Sequence, residues 1–184
     1  MVSKSGARRC RTVSSCEEWE GVMKGGSGSS EILLLLGMLD EAYSVKTWHG
    51  PNLKGSLRGL TAAAAAWKPG PKRHSIWEIA VHAAYWKYVA RRRLLGEKRG
   101  SFALKGSNWF ARPLDLSEKA WKADLALLDQ EHAKLRKAVA GLKPALLSVT
   151  PSTSKFSNLA LICGIANHDV YHAGQIQLLK RLQA

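Results

Sequence analysis

Cysteine is scarce in this chain of 184 residues, and Cys10, Cys16 and Cys163 are odd in number without tight paired spacing, which argues against a disulfide framework. No apolar run approaches the length that crosses a bilayer. The densest, Ile32 to Leu36, is broken by Gly37 and followed by Asp40 and Glu41. The first residues are basic but run into Glu17, Glu18 and Glu20 with no apolar stretch, so no secretory signal is expected. Alternating β-branched runs and hairpin turns are missing too, which leaves little ground for a sheet. Acidic residues number 14 against 28 Lys and Arg, for a formal charge of +14. What remains is a cytoplasmic protein with no membrane segment, of globular composition (46% hydrophobic, 23% charged) and long enough for one self-sufficient core.

The positive charge invites a nucleic-acid reading. From Ser29 onward there are 23 Lys and Arg against 11 Asp and Glu, so the excess belongs to the body of the protein. Its densest stretch holds Lys87, Arg91, Arg92, Arg93, Lys98 and Arg99, offset by Glu97. Consecutive arginines on a helix fan around its axis, and no zinc-finger spacing, basic heptad or aromatic-interleaved strand accompanies them. A solvated basic helix end, suited to the C-terminal macrodipole, is the expectation; an acidic partner or anionic substrate is the alternative.

Residues 1–28 are rich in Ser, Gly, Lys and Arg without a sustained period, and read as a flexible extension; Met23 would allow a shorter natural start. Residues 29–184 read as one helical domain. Ser30 caps a first helix striped by Ile32, Leu35, Leu36, Leu39 and Tyr43. Leu53 to Leu60 suits a short helix, and Ala62 to Ala66 favours helix by propensity until Pro69, Gly70 and Pro71. Ser75 opens a second long helix that Gly96 stops, and Ser117 opens a third that ends near Gly141. A fourth runs from Asn158 to Leu182. Between the second and third lies a loop of about 20 residues, a length that often serves a site. The predicted fold is all-α: a four-helix bundle with one short extra helix.

Histidines carry the chemistry. His168 and His172, spaced i, i+4, put two imidazoles on one helix face about 6 Å apart at Cβ. Their stripe (Leu161, Ile165, His168, His172, Ile176) is otherwise apolar, so both face the core, where an unpaired ring is costly. Hydrogen bonds or a metal would each satisfy them. His82, flanked by Ile79 and Trp86 on the second helix, also points inward. Three inward imidazoles from two helices can build a core metal site with an open fourth position, the arrangement of a catalytic rather than a structural centre.

Trp48-His49-Gly50-Pro51-Asn52-Leu53, the His82 helix and the terminal His168-Asp169-Val170-Tyr171-His172-Ala173-Gly174-Gln175-Ile176 together resemble the DinB/YfiT-like family of metalloenzymes over about residues 30–184. The resemblance implies a four-helix bundle whose divalent metal is held by one histidine of the second helix and two of the last, here His82, His168 and His172. It also implies a homodimer and, for some members, thiol-dependent S-transfer with a low-molecular-weight thiol.

The remaining candidates are secondary. Glu78, one turn before His82, either orients that ligand, acts as a base, or is a solvated helix-start carboxylate. His49 either lines the pocket mouth or is a turn residue. Asp169 is rotated about 100° off the metal face and suits support or surface duty. Gln175, i+3 from His172, either points toward the same region or is a polar residue of helix packing, His132 reads as a satisfied edge histidine, His74 as exposed and Cys163 as a small hydrophobe. Trp77, Trp86 and Trp121 suit the core, and Trp48 and Trp109 the walls of a pocket. The functional expectation is a divalent-metal enzyme, Zn or Ni foremost, acting on a small molecule as a thiol S-transferase or a hydrolase. Its rival is a non-catalytic metal-binding stress-response or interaction protein that contacts nucleic acid through its basic face.

Overall fold

The computed structural model describes residues 29–183; the expected flexible extension, residues 1–28, lies outside the described residues. The described chain is all-α. Four long helices, α1 (Ser30–Tyr43), α4 (Ile76–Leu94), α5 (Glu118–Ala140) and α6 (Asn158–Leu182), are joined by two short ones, α2 (Leu53–Leu57) and α3 (Ala62–Ala66), and by a 3-10 turn over Pro144–Leu146. The sequence led us to expect one short helix; the alanine run makes the second.

Side-chain caps set most of the starts. Ser75, Ser117 and Ser157 accept from the backbone N–H three residues on, as do Asn52 and Thr61 before the short helices. Ser75 and Glu78 form a reciprocal capping box. At α1 the N-cap is Ser29, one residue earlier than expected, and its side chain makes no cap bond.

Helices α1 and α4 each pack against both α5 and α6. Side-chain contacts give their directions. Along α4, Trp77 meets Asp124 and Lys87 meets His132, so α4 and α5 are parallel. His82 meets His168, while Ala90 and Leu94 share a cluster with Leu161 and Ile162, so α4 and α6 are antiparallel. Asp40 meets Arg136 and Tyr43 meets Asp129, so α1 runs against α5. Parallel neighbours require a crossover along the whole bundle. That explains the long connection of residues 95–117: α4 is about 28 Å long at 1.5 Å per residue, and the chain must return that distance before α5 begins.

The core divides into two apolar clusters, one around Trp77, Trp121, Leu128 and Ile176, the other around Leu39, Leu135, Val139 and Ile162. Between them lies a buried polar layer. Lys87 and Asp169 are fully buried and ion-paired, Lys87 Nζ lies 3.4 Å from His132 Nδ1 and 4.7 Å from the Tyr43 ring centroid, and Tyr43 stacks on His132. Burial pushes the Lys87 ammonium down and the Asp169 carboxyl up, and each charge holds the other back.

The structure corrects the basic-end expectation and narrows two others. Lys87 and Arg92 do not belong to a solvated basic end: Lys87 points between α5 and α6 onto His132 and Asp169, and Arg92 is buried with its guanidinium on the Glu97 carbonyl. Asp169, for which support or surface duty was expected, is turned inward onto Lys87. His132 sits inside the layer rather than at an edge, 7% exposed.

Removing one member of a buried ion pair leaves an uncompensated charge, which costs about 3–5 kcal/mol, whereas replacing both with apolar residues is close to neutral. Asp169→Asn is therefore expected to lower the urea midpoint sharply, and Lys87→Met/Asp169→Leu to restore most of it. Equilibrium unfolding of the three proteins checks this.

Candidate metal centre

Because α4 and α6 are antiparallel, His82 meets His168 and His172 at one level of the bundle. Their Nε2 atoms converge: His168 Nε2 is 3.2 Å from His82 Nε2 and 3.0 Å from His172 Nε2. Among the described residues these three form a group whose ligand atoms all lie within 4.8 Å of one another, a spacing that could hold a metal ion.

The rings are neutral at physiological pH. Burial pushes His82 down to about 4 and His168 down to about 3, with the neighbouring histidines adding to the His168 shift, and burial also lowers His172. Hydrogen bonds fix two tautomers. His82 Nδ1–H donates to the Asn108 carbonyl at 2.9 Å, and His172 Nδ1–H donates to Gln175 Oε1 at 2.7 Å. Both of these rings therefore turn a bare Nε2 lone pair inward. At most one proton, on His168 Nε2, is left for three converging nitrogens, and His168 Nδ1 is buried without a partner. Hydrogen bonding among the rings alone serves such a set poorly, whereas one cation would engage all three lone pairs. The donor set fits a divalent metal of the kind imidazole prefers.

The crossover loop builds the surroundings. Asn108 has φ 61°, a left-handed conformation that asparagine tolerates better than most residues, and this aims its carbonyl at His82. Its side-chain Oδ1 accepts from Trp86 Nε1 at 3.0 Å. Next to it, Trp109 is stacked between His82 (centroids 3.8 Å apart) and His74 (3.6 Å). Phe110 is buried and packs with Tyr85 and Phe102, which anchors the loop. On α6, Gln175 also donates to the Tyr171 hydroxyl, so it is held from both sides. Supporting groups of this kind set ring orientation and donor strength at metal sites.

Glu78 is not a solvated carboxylate. It is 5% exposed, and its oxygens accept from Lys68 (2.7 Å) and the Ser75 N–H (3.1 Å) and meet His74 (3.3 Å), so it reaches the triad only through the His74–Trp109–His82 stack. These partners hold its carboxyl below the usual range against the opposing effect of burial. His49 lies exposed on its loop beside Trp48, which is 95% exposed and walls no pocket. Trp109 does line the site, and Trp86, expected in the core, is half-buried beside His82 and His168. A cavity of about 410 Å³, lined by Leu57, Leu60, Trp121 and Leu128 with Lys54 and Asp129, shares no residue with the triad. Sequence reasoning missed Asn108. Its signal, an asparagine in the one long loop, acquires meaning only when the crossover lays that loop on His82.

A sequence model of the DinB superfamily matches residues 47–176, more than half of the chain and including all three histidines. No curated protein and no solved structure matches it. With the helical bundle and the three-histidine cluster in place, the match is decisive: the chain belongs to the DinB superfamily.

Proposed function

We propose that His82, His168 and His172 hold one divalent metal ion, Zn or Ni foremost, and that the protein is a metal-dependent enzyme acting on a small molecule. The observation that carries this reading is the convergence of three imidazoles, with His168 Nε2 3.0 and 3.2 Å from the other two Nε2 atoms and two tautomers locked from behind. A divalent cation bound there supplies Lewis-acid polarisation of an oxygen or sulfur ligand.

The chain's own residues do the rest. Asn108 and Gln175 hold two rings in place, so little reorganisation is needed on binding. Trp86 and Trp109 put aromatic surface beside the triad. No carboxylate joins the cluster among the described residues: Asp169 is engaged with Lys87, and Glu78 with Lys68, His74 and Ser75. A thiol, with an ordinary pKa of about 8.5, gives up its proton with far less help than water does. This favours S-transfer from a low-molecular-weight thiol over hydrolysis.

We further propose that a second copy of the chain covers the outward face of α6. From Asn158 to Leu179 that helix carries one formal charge, Asp169, and it is buried. Leu159, Val170, Tyr171 and Leu178 are left 40–62% exposed along this stretch, which has no exposed charged side chain to solvate it before Lys180.

Elemental analysis is expected to find about one divalent ion per chain, lost in His168→Ala/His172→Ala. With the ion confirmed, turnover of thiol and electrophile mixtures by the wild type and not by the double variant supports transfer. A filled site without turnover refutes the enzymatic reading while leaving the metal in place.

Asn108→Gly keeps both the left-handed backbone and the carbonyl and is expected to retain metal affinity. Asn108→Val strains that backbone and is expected to weaken affinity by about 10–100-fold in a chelator competition. Light scattering on a sizing column is expected to give a dimer for the wild type and a monomer for Leu159→Lys/Leu178→Lys.

A further inference from the structure

Parallel packing of α4 and α5 brings two helix C-termini to the same end of the bundle, and both last turns are basic. Arg91 lies nine residues beyond His82, about 13 Å along α4 and half a turn around it, so this end faces away from the triad. Two hollows adjoin there. One, of about 660 Å³, is lined by Arg91, Lys98, Arg99 and Lys134, with Glu97 as its one carboxylate. The other, of about 380 Å³, is lined by Leu95, Ala138 and Leu142 together with Lys137, and it shares Arg91 and Lys134 with the first.

Complementing the helix dipoles accounts for only part of this charge. Two C-termini together present about one negative charge. Arg91 already pairs with Glu97 at 2.6 Å and Lys134 with Glu131 at 2.7 Å. Lys98, Arg99 and Lys137 remain exposed with no ion pair among the described residues. Arg91 Nε is buried and makes no hydrogen bond, with the Glu131 carboxylate 3.9 Å away as its ion-pair partner. Nearby, burial and, after it, the charges of Arg92 and Arg99 push the Arg93 guanidinium down. An anion in the first hollow would be attracted by the cations that line it.

Shape narrows the ligand. The cations gather on one shallow, open hollow at a single end of the bundle and form no long track, which suits one compact anionic group better than a duplex backbone. The adjoining hollow is floored by apolar side chains, with Leu95 50% exposed. We propose that the two hollows form a single site for a small phosphomonoester with an apolar body, its phosphate on Arg91, Lys98, Arg99 and Lys134 and its apolar part on Leu95, Ala138 and Leu142. The site is independent of the histidine triad.

Titration calorimetry of the full chain with n-octyl phosphate tests this, with inorganic phosphate and n-octyl glucoside as the comparison ligands. Octyl phosphate is expected to bind once per chain and at least about tenfold tighter than either comparison ligand, because each lacks one half of the match. Lys98→Glu/Arg99→Glu is expected to weaken it about tenfold or more and Leu95→Ser about fivefold, with metal content unchanged in both. These are exposed positions, so folding is preserved. Equal affinity for inorganic phosphate overturns the proposal, as does indifference to both variants. Displacement of octyl phosphate by anionic vesicles or by a DNA duplex at physiological salt also overturns it, by showing the end to be a membrane or nucleic-acid surface.

Discussion

The Lys87–Asp169 ion pair is the constraint on which the rest of the bundle depends. Apolar helix faces tolerate sliding by a turn, since leucines and alanines are nearly interchangeable at that level. A fully buried ammonium and carboxylate are not interchangeable with anything else in the core, and displacing one from the other would strand two charges. Lys87 is on the helix of His82, and Asp169 is the chain neighbour of His168. Setting the register of α4 against α6 at the ion pair therefore sets it at the histidines as well. The layer extends sideways through His132 and Tyr43 to α5 and α1, so all four long helices meet it.

A second constraint is topological. Parallel α4 and α5 force the intervening chain to recross the bundle, and the recrossing segment lies on the triad. That segment contributes no histidine to the triad, yet it holds His82 through a backbone carbonyl and stacks an indole on its ring. The helices thus place the three nitrogens, and the loop decides which tautomer His82 presents and what surface a substrate would meet. The positive φ of Asn108 makes this a specified contact, because the same carbonyl on an ordinary backbone would point elsewhere.

The helices and the histidines were legible in sequence because their signals are local. Serine caps, glycine and proline stops and a 3.6-residue stripe mark each long helix to within a residue or two, and an imidazole inside an apolar stripe must face inward whatever the tertiary arrangement. Lys87 was not legible, since a lysine among Arg91, Arg92 and Arg93 reads as solvated unless its partner eighty-two residues away is known to face it. Asp169 was half legible: its rotation away from the metal face is a matter of helix geometry, but its burial depends on Lys87. Glu78 shows the same limit, a first-turn carboxylate whose burial comes from Lys68 and His74, contributed by the chain before the helix. Asn108 needed the crossover, and no periodicity marks a loop.

The division of labour between helices and loop bears on how such a bundle acquires chemistry. Two helices carry the three histidines, and their positions are tied to the core by the buried polar layer, so this part changes only at the expense of the fold. The crossover carries Asn108, Trp109 and Phe110, and of these only Phe110 is buried. Substitutions around it can reshape the wall of the site and the polarity near His82 while the nitrogens stay where they are. His82, whose supporting contacts come from a single loop, also responds to one segment as a unit. Anything that lifts residues 95–117 from α4 removes the His82 hydrogen bond, the indole stack and the Trp86 contact together.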